Sequence, residues 1–133
     1  MALTYINPNG LIDPSQFGFS HIAIGAPGSR PIFIAGQGGF TAEGVLPPGF
    51  REQVRQALAN LDTALRAAAV GMADVGKLNV YIVGHDTERQ GIFHEEFFRF
   101  IGENGPKPPA TLIPVPALAA EAMLFEIDAI AAA

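Results

Sequence analysis

The chain contains no cysteine, which removes a disulfide framework, a thiolate nucleophile and a Cys-ligated metal site at once. Histidine is sparse as well. His21, His85 and His94 match neither an HExxH helix nor any paired metal spacing, so no metal and no other cofactor is expected. No GxSxG elbow fixes a serine nucleophile. Basic residues are few, 8 Lys and Arg against 13 Asp and Glu, for a formal charge of −5 and a pI near 5.0. No two of them are adjacent, and nucleic-acid affinity rests on clustered Lys and Arg, so nucleic acid is not an expected partner. No apolar run approaches the roughly 18 residues of a membrane span, and no basic segment followed by a hydrophobic one opens the chain. The expectation is a cytoplasmic protein with no membrane partner. Internal repeats, linkers and low-complexity segments are also missing, which makes residues 1–133 one expected domain, with the Ala131-Ala132-Ala133 end expected to fray.

What is present is apolar. Hydrophobic residues make up 49% of the chain and the mean hydropathy is +0.27. A domain of this length buries about 68% of its unfolded surface, so its interior is limited and some apolar surface is expected to be covered by other subunits.

Asn7-Pro8-Asn9-Gly10 signals a turn, and the first strand is expected over Ser20 to Ala26. Pro27-Gly28-Ser29-Arg30 reads as a hairpin connection to an antiparallel strand over Pro31 to Gly36, which ends in the glycines around Gln37. After Leu46-Pro47-Pro48-Gly49 a helix is predicted from Phe50 to Ala69, because Val54, Leu58, Leu61 and Leu65 line one helical face. Lys77 to Val83 alternates as a strand. A second helix is predicted from Thr87, acting as cap with Gln90 in a capping box, to Glu103, with Ile92, Phe93, Phe97, Phe100 and Ile101 as its apolar stripe. The Pro-rich loop after Gly105 leads to strands around Thr111 to Val115 and at the tail. The order ββαβαββ gives an α+β fold, a single mixed sheet with two helices packed on one face.

Few polar residues interrupt this pattern where chemistry would need them. In the tail run FEIDAIA, Glu126 and Asp128 project to one side of a strand, about 7 Å apart. Gly36-Gln37-Gly38-Gly39 lacks the Lys-Ser or Lys-Thr of a phosphate loop and reads as a turn, although glycine there admits a ligand to the main chain. Asn60 and Gln53 interrupt the first helix and are expected to make internal hydrogen bonds holding helix to sheet.

Taken in order, GFSHIAIG, IFIAGQGG, QVRQALANL, DVGKLNVYIV, HEEFF, the PPAT loop and FEIDAIA make the chain resemble the RidA/YjgF family, also called endoribonuclease L-PSP-like proteins, from about Phe17 to Ala131. The resemblance implies a chorismate-mutase-like fold, a homotrimer whose sheets line a central barrel, and ligand clefts between subunits. Active members hydrolyse enamines and imines of amino-acid metabolism to 2-oxo acids and ammonia. It implies a catalytic role for Glu126 and substrate contacts at Phe19, Gly36, Gln37, Gly91, Ala110, Thr111 and Leu112.

The signature arginine of the family is not matched. Aligning through Pro109-Ala110 puts Thr111 in its place and aligning through Val115 and Leu118 puts Ala110 there, and no arginine follows Arg99. Lys107, or Arg30, Arg51 or Lys107 of a neighbouring subunit, is the expected substitute. Gly91 stands where deaminating relatives often carry an amide, and Phe19 replaces a tyrosine. Two readings stay open: a hydrolase of a small imine, enamine or related metabolite using Glu126, and a trimer that binds a small metabolite or partner without turning it over.

Overall fold

The computed structural model describes residues 3–133. Its main sheet is mixed and four-stranded, in the order β3-β6-β4-β5, with β3 at Pro31–Gln37, β4 at Val75–Val83, β5 at Ala110–Val115 and β6 at Phe125–Ala132. Helices α1 (Phe50–Ala67) and α2 (Thr87–Ile101) make the crossovers β3-α1-β4 and β4-α2-β5, and β6 slots antiparallel between β3 and β4. Only β4 and β5 pair in parallel, as a helical crossover requires.

The α1 stripe lies where its period puts it. Val54, Leu58, Leu61 and Leu65 are buried against Phe125, Ile127, Ala129 and Ala131 of β6 and Leu78, Val80 and Ile82 of β4. α1 stops at Ala67, two residues before the predicted end, because Ala69 takes a left-handed φ of 59° and the amides of Ala69 and Val70 turn back to the carbonyls of Arg66 and Leu65. α2 is capped by Asp86, whose side chain accepts from the Arg89 amide, rather than by Thr87. Asp86 already holds the extended backbone that a cap needs, and Gln90, assigned to the capping box, bonds His85 instead.

The expected hairpin does not form. A strand absent from the sequence reading, β1 at Leu3–Ile6, pairs antiparallel with β2 at Ile22–Gly25, and β3 takes β6 as its partner. A turn does stand at Ala26 to Ser29, but the chain changes sheets there. The β1-β2 ribbon is tied to β4 by Tyr5, whose hydroxyl donates to the Val75 carbonyl at 2.6 Å. The C-terminal end is not frayed either: Ala131 is buried, Ala132 pairs with Pro31, and Ala133 exchanges backbone hydrogen bonds with Arg30.

Between the helices lies a charge cluster. The Glu96 side chain is 4% exposed and accepts from Arg55 Nε at 2.9 Å and from Arg51 Nη1 at 2.8 Å. The hydrogen bonds from Arg55, then Arg51, outweigh burial and hold its carboxyl at about 2, below the usual 4.5. A carboxyl depressed on folding stabilises the protein fully above its unfolded value and loses that contribution as pH falls through its folded value. Stability is therefore expected to drop by about 3 kcal/mol between pH 4.5 and about 2, and Glu96→Gln to flatten that limb in urea titrations.

Candidate functional site

Helices cover one face of the sheet; the other carries the polar groups. Since Phe125, Ile127 and Ala129 point into the core, Glu126 and Asp128 project from the open face. The same alternation in β4 puts Lys77, Asn79 and Tyr81 beside them. Register then sets the neighbours: Tyr81 lies opposite Glu126, and Asn79 lies between Asp128 of β6 and Thr111 of β5.

Asp128 is committed. Its two oxygens accept from Asn79 Nδ2 at 2.9 Å and from the Tyr81 hydroxyl at 2.8 Å. The hydrogen bond to Asp128 raises the Tyr81 phenol, with burial adding to it, so Tyr81 stays protonated at neutral pH. Glu126 differs: among the described residues no group donates a hydrogen bond to its carboxylate. Its carboxylate rests on Gly36, where a Cβ would fall 1.8 Å from Oε2 and 2.7 Å from Cδ. The register of β3 against β6 shifts between Ile34 and Gln37, and this irregularity brings the glycine backbone under the acid. Only a residue without a side chain leaves the carboxylate where it is.

The Gly36–Gly39 segment is held from below by α1. Asn60 Nδ2 donates to the carbonyls of Gly38 and Phe40 at 2.9 and 2.8 Å, so the internal bonds expected of Asn60 reach the loop after β3. Gln53, 1% exposed, donates to Pro47 and Ala122 and accepts from the Leu124 amide, joining α1 to the segment that enters β6. Gln37 folds back, its amide donating to the Ala35 carbonyl at 3.1 Å.

At the β5 edge of the open face, Lys77 Nζ donates to Thr111 Oγ1 at 2.7 Å. Lys77 was not among the residues expected to supply a cation. Within the chain, Lys107 donates to the carbonyls of Glu103 and Gly105, and Arg51 pairs with Glu95 and Glu96 on the helices.

The eight residues singled out in the sequence do not share one cavity within the chain. Glu126, Gly36 and Thr111 belong to the open-face side, whereas Gln37, paired with core-facing Ile127 after the register shift, lines a hollow with Gln56 and Asn60 of α1. Phe19, Ala110 and Leu112 line a hollow on the helix side. Gly91 lies on the exposed surface of α2, where a Cβ would meet nothing. Among the described residues no group of three or more His, Asp or Glu is placed to hold a metal ion, and no helix is long and apolar enough to cross a membrane. Beyond the polar groups the open face is apolar, with Phe33 73% exposed opposite Ile130 in the β3-β6 register.

The endoribonuclease L-PSP family model matches residues 14–133. The chain belongs to this family. Among solved structures, a Rid-family protein of unknown function, YyfB from Yersinia pestis, is similar over 100% of both chains at 34% identity, with a TM-score of 0.92. E. coli TdcF, solved with bound serine, is 26% identical over 81% of this chain and 84% of its own, with a TM-score of 0.71. RidA from an Antarctic Psychrobacter is 28% identical over 85% of this chain and 86% of its own, with a TM-score of 0.69. No curated protein matches the chain. The two helices on one face of a mixed sheet are the fold of the Rid and YjgF proteins.

Proposed function

We propose that this Rid-family protein hydrolyses a small imine or enamine bearing an anionic group, in clefts completed by further copies of the chain in a homotrimer. The observation that carries this reading is the Glu126 carboxylate, unpaired among the described residues and seated on the bare backbone of Gly36. Of the two acids on this face, Asp128 is spent on Asn79 and Tyr81, whereas Glu126 is free to take a proton. In the reaction Glu126 accepts a proton from water as its oxygen adds to the C=N carbon. Glu126 returns that proton to the nitrogen, and as the tetrahedral adduct collapses its hydroxyl proton passes to the departing nitrogen, so the C–N bond breaks, ammonia leaves and a carbonyl compound remains; an enamine first tautomerises to the imine. A carboxylate on the substrate is met by Lys77 and the Thr111 hydroxyl, a point charge plus one hydroxyl in place of a bidentate fork. The serine bound to TdcF supports a small ligand with a carboxylate. The exposed pair Phe33 and Ile130 supports burial of the open face between copies.

The second reading, a trimer that binds a metabolite without turnover, is favoured by the same Lys77–Thr111 pair, which suffices for recognition. A coupled assay separates them, with 2-aminoacrylate generated in situ and pyruvate followed. The proposal expects acceleration by the wild type and, in Lys77→Met, a KM raised about tenfold or more with kcat changed less. An inert wild type that still binds pyruvate supports the binding reading. Unchanged kinetics in Lys77→Met removes the carboxylate anchor.

A further inference from the structure

We infer that the Tyr81 phenol oxygen is the acceptor that recognises the nitrogen end of the substrate, so that the site favours an N–H-bearing imino or enamino acid over the 2-oxo acid it becomes. The inference rests on the proposed hydrolysis and adds to it a residue that the family resemblance did not supply.

Register places Tyr81, and Asp128 orients it. Tyr81 lies opposite Glu126 in the β4-β6 pairing, and Asn79, its neighbour on this face of β4, lies opposite Asp128. The phenol leans along the strand to donate to Asp128 Oδ2 at 2.8 Å, while Asn79 Nδ2 holds Oδ1 at 2.9 Å. The phenol proton is thereby fixed. What remains on the oxygen is acceptor capacity, and among the described residues no group donates to it. A hydrogen bond to a carboxylate polarises the O–H and makes that oxygen a stronger acceptor than a free phenol. The hydrogen bond to Asp128, then burial, then the charges of Asp128 and Glu126 all raise the phenol pKa, so the proton stays in place at neutral pH. Tyr81 therefore orients the substrate, and proton transfer stays with Glu126.

The open face is divided by hydrogen-bond sense. On the β5 side Lys77 and the Thr111 hydroxyl offer donors, which suit a carboxylate. Toward β6 the uncommitted groups are acceptors, the phenol oxygen and the Glu126 carboxylate, and these suit N–H groups. Thr111 lies opposite Asn79, the neighbour of Tyr81 on β4, so the two halves adjoin. A small molecule with a carboxylate at one end and N–H at the other matches this division in one orientation, its nitrogen toward Tyr81 and Glu126. Hydrolysis then changes the match. The imine, the enamine and the departing ammonia all donate N–H, whereas the carbonyl oxygen of the product carries no hydrogen and meets the phenol oxygen as a second acceptor. One atom holds the substrate and disfavours the product.

Calorimetric titration of the full chain with L-alanine, which carries an N–H donor and has no C=N bond to hydrolyse, and with pyruvate tests the inference in wild type and Tyr81→Phe. The wild type is expected to bind L-alanine about tenfold more tightly than pyruvate or better. In Tyr81→Phe the L-alanine Kd is expected to rise about tenfold while the pyruvate Kd stays or falls, and kcat/KM for 2-aminoacrylate to drop by about tenfold. Loss of a merely structural contact would weaken both ligands together and leave their ratio where it was. No preference for L-alanine in the wild type, or the same ratio in Tyr81→Phe, would overturn the inference. If the wild type turns over 2-aminoacrylate, Glu126→Gln does not, and Tyr81→Phe matches the wild type in rate and ratio, the inference fails and the hydrolysis stands. An inert wild type whose ratio shifts as expected overturns the hydrolysis and keeps Tyr81 as the nitrogen acceptor of a binding site.

Discussion

Replacing Glu126 by glutamine is expected to lower kcat for imine hydrolysis by about 10²- to 10⁴-fold, the range over which a positioned general base acts. Glutamine keeps the shape of the side chain but cannot accept the proton of the attacking water. Stability should hardly change, within about 0.5 kcal/mol, because no hydrogen bond to the carboxylate is lost. Asp128→Asn provides the contrast. It weakens bonds to Asn79 and Tyr81 that organise the face, so its effect should appear in thermal melts as well as in rate. The measurement is the pyruvate-coupled rate beside a melting curve for each variant.

Gln53→Ala is expected to be the most destabilising single change, at about 3 to 5 kcal/mol. Its amide satisfies three main-chain groups in two separate segments, the carbonyls of Pro47 and Ala122 and the amide of Leu124. Alanine leaves all three without their partner and opens a void beside α1. No water replaces the amide easily, since Gly39 already brings the loop into van der Waals contact with the Gln53 backbone. Urea unfolding at neutral pH measures the loss directly. A cost below about 1 kcal/mol would mean that the three groups find other partners.

Local patterns in the sequence carried most of the fold. The 3.6-residue stripe of α1 and the two-residue alternation of β6 are set by burial against one core, so they are visible without knowing the partner. The β1-β2 pairing was not visible: β1 is four residues long, and turn chemistry at Pro27-Gly28 reports a turn without saying which strand continues beyond it. No local pattern marks Glu96, because only the approach of α1 brings Arg51 and Arg55 onto it.

The candidate site was legible to a similar depth. The shared face of Glu126 and Asp128 follows from alternation, but what separates them, one acid paired and the other without a donor among the described residues, depends on the register of β4 against β6. Lys77 stood in the sequence on the same alternation as Asn79 and Tyr81. Its place beside Thr111 depends on a parallel pairing made through the α2 crossover, a contact between residues 34 positions apart. The assignment of Phe19, Ala110 and Leu112 beside Glu126 rested on family resemblance, and in the chain itself the sheet lies between them.

The central claim is that Glu126 performs the chemistry from its seat on Gly36, and a double-mutant cycle on kcat/KM tests it. A methyl group at position 36 would lie 1.8 Å from the Glu126 oxygen, so Gly36→Ala must displace the carboxylate, a flexible group, with little cost to the fold. The predicted result is a large loss in Gly36→Ala alone and no further loss when Gly36→Ala is added to Glu126→Gln. Losses that simply add, or a Glu126→Gln variant as active as the wild type, would contradict it.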